Sequence, residues 1–171
     1  MVDFHGWELP VQYESILAEH KQCRERVAVF DTSHMGQFLL RGPRAGADLA
    51  RLLTHDATQL AVGKSRYGLL LDEDGGIRDD TILLRLGEEE FLLVVNAGPL
   101  EDDLRWVGSH LSGGTTLESL TPAWGKIDVQ GPGSYDILKD DVEVTLGNLG
   151  YFQGTRGRIL GAAGIISRTG Y

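Results

Sequence analysis

Two adjacent aspartates inside an apolar run are the residues of this sequence best placed to do chemistry. The run is Gly75-Gly76-Ile77-Arg78-Asp79-Asp80, continued by Thr81-Ile82-Leu83-Leu84. A strand sends successive side chains to opposite faces, so one acid shares a face with Ile82 and Leu84 and the other with Ile77 and Leu83. A carboxylate partly buried on such a face has a raised pKa unless a partner compensates, which is a pattern of functional sites. The commoner role of acids beside a turn is structural, capping backbone amides. Alternation alone does not say which aspartate faces a pocket.

Two other segments place polar groups at junctions. Asp31-Thr32-Ser33-His34-Met35-Gly36 lies between a helix and a strand, where loops often carry function. Its ordinary use is a polar turn, with Asp31 and Ser33 satisfying local amides and His34 a satisfied histidine. Asn96 ends an apolar strand just before a helix, so its amide either caps that helix or holds a ligand; capping is the commoner use. Other chemistries are missing. The five histidines are scattered and the single cysteine, Cys23, cannot build a zinc site. No Gly-x-Gly-x-x-Gly follows a strand, and there is no phosphate loop and no Gly-x-Ser-x-Gly elbow. Dinucleotide hydride transfer, nucleotide hydrolysis and serine-hydrolase chemistry lose weight accordingly.

The elements that must hold these residues follow from periodicity. Glu14 to about Arg26 reads as a helix, with Ile16, His20, Cys23 and Val27 on one face. Met35 to Arg41 reads as a strand. Pro43 suits the first turn of a helix whose stripe is Leu49, Leu52 and Leu53. Arg66–Leu71, Ile77–Leu86 and Phe91–Asn96 read as an antiparallel meander joined by Asp72-Glu73-Asp74-Gly75-Gly76 and Gly87-Glu88-Glu89-Glu90. Pro99 opens a helix with Glu101, Asp102 and Asp103 in its first turn, where the dipole favours acids. Leu100, Leu104, Val107 and Leu111 form that helix's buried face, and Thr115–Leu120 returns as an edge strand. Residues 35–120 thus run β-α-β-β-β-α-β, an α+β domain with two helices against a mostly antiparallel sheet. Residues 1–34 plus 121–171 supply an incomplete second antiparallel β domain, with strands at Lys126–Val129 and Arg158–Ser167. Gly147–Gly157 is either hairpin or loop.

Bulk properties bound the rest. A chain of 171 residues makes one ordinary domain or two small intimate ones. Its 23 glycines against 5 prolines fit many tight turns. The net charge of −9 and the lack of any Lys/Arg cluster argue against nucleic-acid binding. No apolar run approaches the ~20 residues of a membrane span. The first residues lack the basic-then-apolar pattern of a signal peptide, and one cysteine allows no internal disulfide, so a cytoplasmic location is the default.

The segments taken together resemble the T protein of the glycine cleavage system, the aminomethyltransferase family. The resemblance rests on Met1-Val2-Asp3-Phe4-His5-Gly6-Trp7-Glu8-Leu9-Pro10-Val11-Gln12-Tyr13, Phe30 to Gly36, Asp74 to Asp80, Phe91 to Ala97, Gln130-Gly131-Pro132 and Ser167-Arg168-Thr169-Gly170-Tyr171. Each motif is weak alone, and the ordered set is specific. It implies transfer of a one-carbon unit from the aminomethyl-lipoyl arm of a carrier, the H protein, to tetrahydrofolate with release of ammonia. It implies that Asp80, the second of the paired acids, sits near the folate nitrogens and stabilises a developing iminium cation. Met35, Tyr67, Asn96 and Tyr171 match folate-lining residues.

Departures from the family pattern temper these expectations. Family members begin about one helical segment before Met1 and continue past Tyr171 with a further half, including the glutamate that grips the pterin. Leu84 stands where a tyrosine is common, and Gly98-Pro99 where a second asparagine is. The chain is expected to bind tetrahydrofolate weakly or not at all, and to self-associate through faces the rest of the family's body would cover. A non-catalytic folate- or carrier-binding module and a related folate-dependent demethylase are the alternatives.

Overall fold

The computed structural model describes residues 1–170. The chain runs β1 (Val2–Phe4), β2 (Trp7–Leu9), α1 (Ile16–Glu25), β3 (Ala28–Asp31), β4 (Gly36–Arg41), α2 (Ala45–Leu52), β5 (Ser65–Leu71), β6 (Ile77–Gly87), β7 (Glu90–Val95), α3 (Leu100–Ser109), β8 (Thr116–Ser119), β9 (Ile127–Gln130), α4 (Ser134–Leu138), β10 (Gln153–Ile159) and β11 (Ala162–Arg168). The architecture is α+β with antiparallel strand pairs, as the periodicity predicts.

A five-stranded sheet in the order β5-β6-β7-β4-β8 organises the molecule. The β5-β6-β7 meander closes through the turn at Asp72–Gly76. There the Asp72 carboxylate accepts from the Asp74 and Gly76 amides, and Gly75 supplies the positive φ of 82°. Strand β4 returns between β7 and the edge strand β8. Alternation then divides the sheet into two faces. Phe38, Leu40, Leu70, Leu83, Leu93 and Val95 point to one side and pack under Leu49 and Leu52 of α2 and Val107 of α3. Leu39, Leu84, Leu92 and Leu120 point to the other, where Trp124 and Ile165 of β11 partly cover them. Burying this many large aliphatic and aromatic side chains, at about 1.5–3 kcal/mol each, is what holds the sheet.

The periphery is built differently from expectation. The stretch expected as one strand at Arg158–Ser167 folds back on itself. Ile159 pairs with Ala162 across the two-residue turn Leu160-Gly161, both at positive φ (48° and 80°). The glycine-rich segment before it contributes β10. A second hairpin, β1–β2, turns at His5-Gly6 with φ of 53° and 84°. Both turns have the mirror-image geometry that suits the twist of paired strands, but Leu and His are poor advertisements for it. Strand β3, also absent from the sequence reading, pairs antiparallel with β9. Helix α1 forms where periodicity placed it, with Ser15 as its N-cap, yet it buries no residue, so its apolar stripe is not a core face here. Ile16, Leu17, Val29, Phe30 and Ile127 are exposed.

Candidate functional site

The paired acids lie near the start of β6, where the sheet's two faces separate them. Asp79 is buried on the helix-covered side and Asp80 is exposed on the other. Neither caps the adjacent turn, whose amides belong to Asp72. Both are instead gathered by Asn96, the residue after β7. The Asn96 N–H donates to Asp79 Oδ2 at 2.8 Å, and its Nδ2 donates to Asp79 Oδ1 at 2.8 Å, to Asp80 Oδ1 at 2.9 Å and to the Asp80 carbonyl at 3.2 Å. Carboxylates only accept, so the amide nitrogen must face them. Asn96 therefore does not cap α3, whose N-cap is Pro99.

The side chains expected around the site divide by face. Leu69 pairs with Asp80 and Tyr67 with Ile82, so the exposed Tyr67 ring stands on the Asp80 side of the sheet. Desolvation, and after it the charge and hydrogen-bonding reach of Asp80, raises the Tyr67 phenol above its ordinary pKa. Met35 is half-buried directly before β4. Strand β4 begins with Gly36 opposite Val95, which carries the Met35 backbone alongside Asn96. The structure thus brings Asp80, Tyr67, Asn96 and Met35 to one end of the sheet. Tyr171 lies outside the described residues.

The loop at Asp31–Gly36 is a polar turn in which Asp31 accepts from the Ser33 amide at 3.0 Å. His34 is not the satisfied histidine expected there. Its Nδ1 is buried without a hydrogen-bond partner among the described residues, its ring stands edge-on to Phe4, and desolvation lowers its pKa.

Asp103, read from sequence as a dipole acid of the first helical turn, is fully buried beneath α3. Neither carboxyl oxygen accepts a hydrogen bond from a described donor. The nearest cation is Arg78, whose Nε is 4.0 Å from Oδ1 and itself unpartnered, with the guanidinium 4.4 Å from the Trp106 ring centroid. Desolvation, then the charge and hydrogen-bonding reach of Asp79, raises the Asp103 carboxyl to about 7. The signal available in the sequence was position: Asp103 falls on the stripe of Leu100, Leu104 and Val107. Among the described residues no group of three or more His, Cys, Asp or Glu side chains is arranged to hold a metal ion. Among the described residues no helix is long and apolar enough to cross a membrane.

Comparison with known proteins gives a consistent picture. The family profile described as the GCVT N-terminal domain matches residues 1–171. The aminomethyltransferase of Exiguobacterium sibiricum is 40% identical over 171 residues, covering 100% of this chain and 48% of that protein. The aminomethyltransferase of Moorella thermoacetica is 41% identical over 172 residues, covering 47% of its own length. Among solved structures, the glycine cleavage system aminomethyltransferase T from Bartonella henselae superposes with a TM-score of 0.90 at 34% identity, over 99% of this chain and 46% of that one. A heterotetrameric sarcosine oxidase from Corynebacterium sp. U-96 shares the fold, with a TM-score of 0.63 at 20% identity. The chain spans about half the length of the relatives it matches.

Proposed function

The chain belongs to the family of the GCVT N-terminal domain, whose named relatives are aminomethyltransferases, and from that premise we propose that it supplies the one-carbon acceptor end of a tetrahydrofolate-dependent aminomethyl transfer. The unit delivered would come from the aminomethyl group on the lipoyl arm of the H protein: its carbon passes to the folate nitrogens, its nitrogen leaves as ammonia, and the broken carbon–sulfur bond leaves a thiol on the lipoyl arm. The observation that carries the reading is Asp80. Its carboxylate is exposed on the sheet face opposite the helices, held at 2.9 Å by Asn96, with the Tyr67 phenol on the same side.

That donor set suits a flat, nitrogen-rich heterocycle. Asp80 can accept from ring N–H groups, Tyr67 and Met35 offer apolar surface, and Asn96 fixes the acid so that no reorganisation is needed when charge develops. A preorganised carboxylate stabilises a positive charge growing beside it, and removing one such group commonly costs about 10²–10³ in rate. Tetrahydrofolate, when bound, supplies the nitrogens that accept the carbon. The chain's own residues position the acceptor and balance its charge. In this reading residues 35–120 are the unit that carries this end, and 1–34 with 121–171 belong to a second β unit.

Weak binding is best read residue by residue. Titrating tetrahydrofolate to millimolar levels is expected to shift amide resonances around Asp80, Tyr67 and Asn96, and Asp80→Asn is expected to abolish those shifts. Shifts centred elsewhere, or unchanged in the variant, would remove Asp80 from the site. Exposed Ile16, Leu17, Val29, Phe30 and Ile127 further support self-association of the isolated chain, with light scattering as the measurement. A clean monomer at high micromolar concentration would refute it.

A further inference from the structure

The site's two buried acids have opposite surroundings. Asp79 receives two donors, the backbone N–H and the Nδ2 of Asn96, at 2.8 Å each. Asp103 receives none among the described residues, and neither an ionised carboxylate nor a carbonyl can donate to it. The charged groups facing Asp103 are few. Arg78 and Asp79 face it from β6, and Asp102 precedes it on α3, exposed and paired with Arg105. Arg78 is the one cation paired with it among the described residues, and its guanidinium lies over the Trp106 ring rather than within hydrogen-bond distance of Asp103.

Two neighbouring carboxylates removed from water cannot both stay ionised without compensating donors. Asp79 has such donors and Asp103 does not, so a proton placed between them belongs on Asp103. A protonated Asp103 is a hydrogen-bond donor, and Asp79 is its acceptor. This single assignment removes the missing partner at Asp103 and completes the set around Asp79.

We propose that Asp103 is a neutral acid hydrogen-bonded to ionised Asp79, and that this pair is a positioning device for Asp80, acting through the Asn96 side chain. The linkage is a continuous chain of contacts. The Asp103 proton fixes the plane of the Asp79 carboxylate. Asp79 in turn fixes the rotation of the Asn96 amide. The same amide nitrogen holds Asp80 Oδ1 at 2.9 Å on the opposite face of the sheet. Asp103 touches no reacting group in this scheme, and only its consequence for catalysis rests on the folate reading of Asp80. The raised carboxyl of Asp103 agrees with the geometry, desolvation first and the Asp79 charge next. Ionising Asp103 would place a second negative charge beside the buried Asp79 carboxylate against one guanidinium, and the two carboxylates would move apart.

Carbon-13 NMR titration of the aspartate side-chain carboxyls in the whole chain tests this. One carboxyl is expected to titrate near neutrality and to vanish from the spectrum of Asp103→Asn. The Asn96 Nδ2 proton resonances are expected to follow the same midpoint in the wild type. In Asp103→Asn, whose amide still donates to Asp79, they should stay near their low-pH positions at every pH. Every aspartate titrating in the ordinary range would overturn the proposal, as would Asn96 signals indifferent to the Asp103 midpoint. If Asp103→Asn fails to fold, the wild-type titration alone decides, because both resonances are read there. No folate is present in these measurements. A neutral-pH carboxyl coupled to Asn96 with no folate-induced shifts would sink the functional reading and leave the pair standing; the reverse would sink the pair.

Discussion

Two aspartates, one beneath each helix that covers the sheet, are equally hidden from solvent and solve that problem in opposite ways. Asp48 of α2 and Asp103 of α3 are both fully buried. Asp48 accepts from the Ser112 amide at 3.0 Å, the Ser112 hydroxyl at 2.7 Å, the Thr115 hydroxyl at 2.7 Å and Arg51 at 2.8 Å. Desolvation pushes its pKa up, but these donors outweigh it and hold the carboxyl at about 2. Asp103 has no such donors among the described residues and is pushed the other way, to about 7. Burial alone thus does not set the charge of an acid; the supply of donors does. Asp48 staples the segment after α3 to α2, a structural task. Asp103 lies against the end of the sheet that carries Asp80.

The largest break in this comparison comes from removing the satisfied acid. Asp48→Ala strands three donors, the Ser112 amide and the Ser112 and Thr115 hydroxyls, and about 3 kcal/mol of stability is expected to be lost. Asp103→Asn keeps a donor to Asp79 through one amide N–H and brings in only one further N–H, so a smaller change, about 1 kcal/mol, is expected near pH 6. Urea unfolding of both variants measures the contrast. Equal losses would mean that Asp103 has donors comparable to those of Asp48.

The pH dependence sharpens the contrast by sign. Asp48 has a folded pKa near 2 against an ordinary 3.8, so its contribution is present above about pH 4 and lost as pH falls toward 2. Asp103 has a folded pKa near 7 against the same 3.8. Its contribution is present below about pH 4 and lost as pH rises toward 7. His34 and His55 are both lowered by desolvation, so they add stability as pH rises toward 6.5 and partly mask the Asp103 slope. The quantity to measure is therefore the difference between wild type and Asp103→Asn. The variant is expected to gain stability relative to wild type from pH 5 to pH 8. A difference that stays flat across this range removes the shift.

Much of the sheet was legible because it obeys simple alternation. Leu39, Leu84 and Leu92 interleave with Leu40, Leu83 and Leu93, and glycine-rich turns punctuate the meander. The hairpins β1–β2 and β10–β11 were not legible, since their turns are His5-Gly6 and Leu160-Gly161 rather than Asn-Gly or Asp-Gly. For the site, the face-splitting of Asp79 and Asp80 was legible from parity, while the choice of Asp80 came from family resemblance. The role of Asn96 was not, because capping and cross-strand bridging place an asparagine at the same strand end. Asp103 was hidden for a further reason. An acid in the first turn of a helix already has an electrostatic explanation, and that explanation obscured its place on the apolar stripe.

The smallest expected effect tests whether the Asp48 site depends on its formal ion pair. Arg51 is 53% exposed while Asp48 is fully buried, so the pair lies at the edge of solvent. Exposed or half-exposed ion pairs contribute about 0–1 kcal/mol, since water competes for the cation and ordering a long side chain costs entropy. Arg51 also donates to the His110 carbonyl at 3.0 Å, which ties the end of α3 down a second time. Arg51→Met keeps the aliphatic stem and leaves the three donors from Ser112 and Thr115 in place. A loss of about 0.5 kcal/mol is expected, with little change in the acid unfolding midpoint. A loss approaching that of Asp48→Ala would mean that the cation, rather than the hydroxyls and the backbone amide, keeps Asp48 ionised. The contrast with Asp103 would then reduce to the distance of one guanidinium, 2.8 Å from Asp48 against 4.0 Å from Asp103.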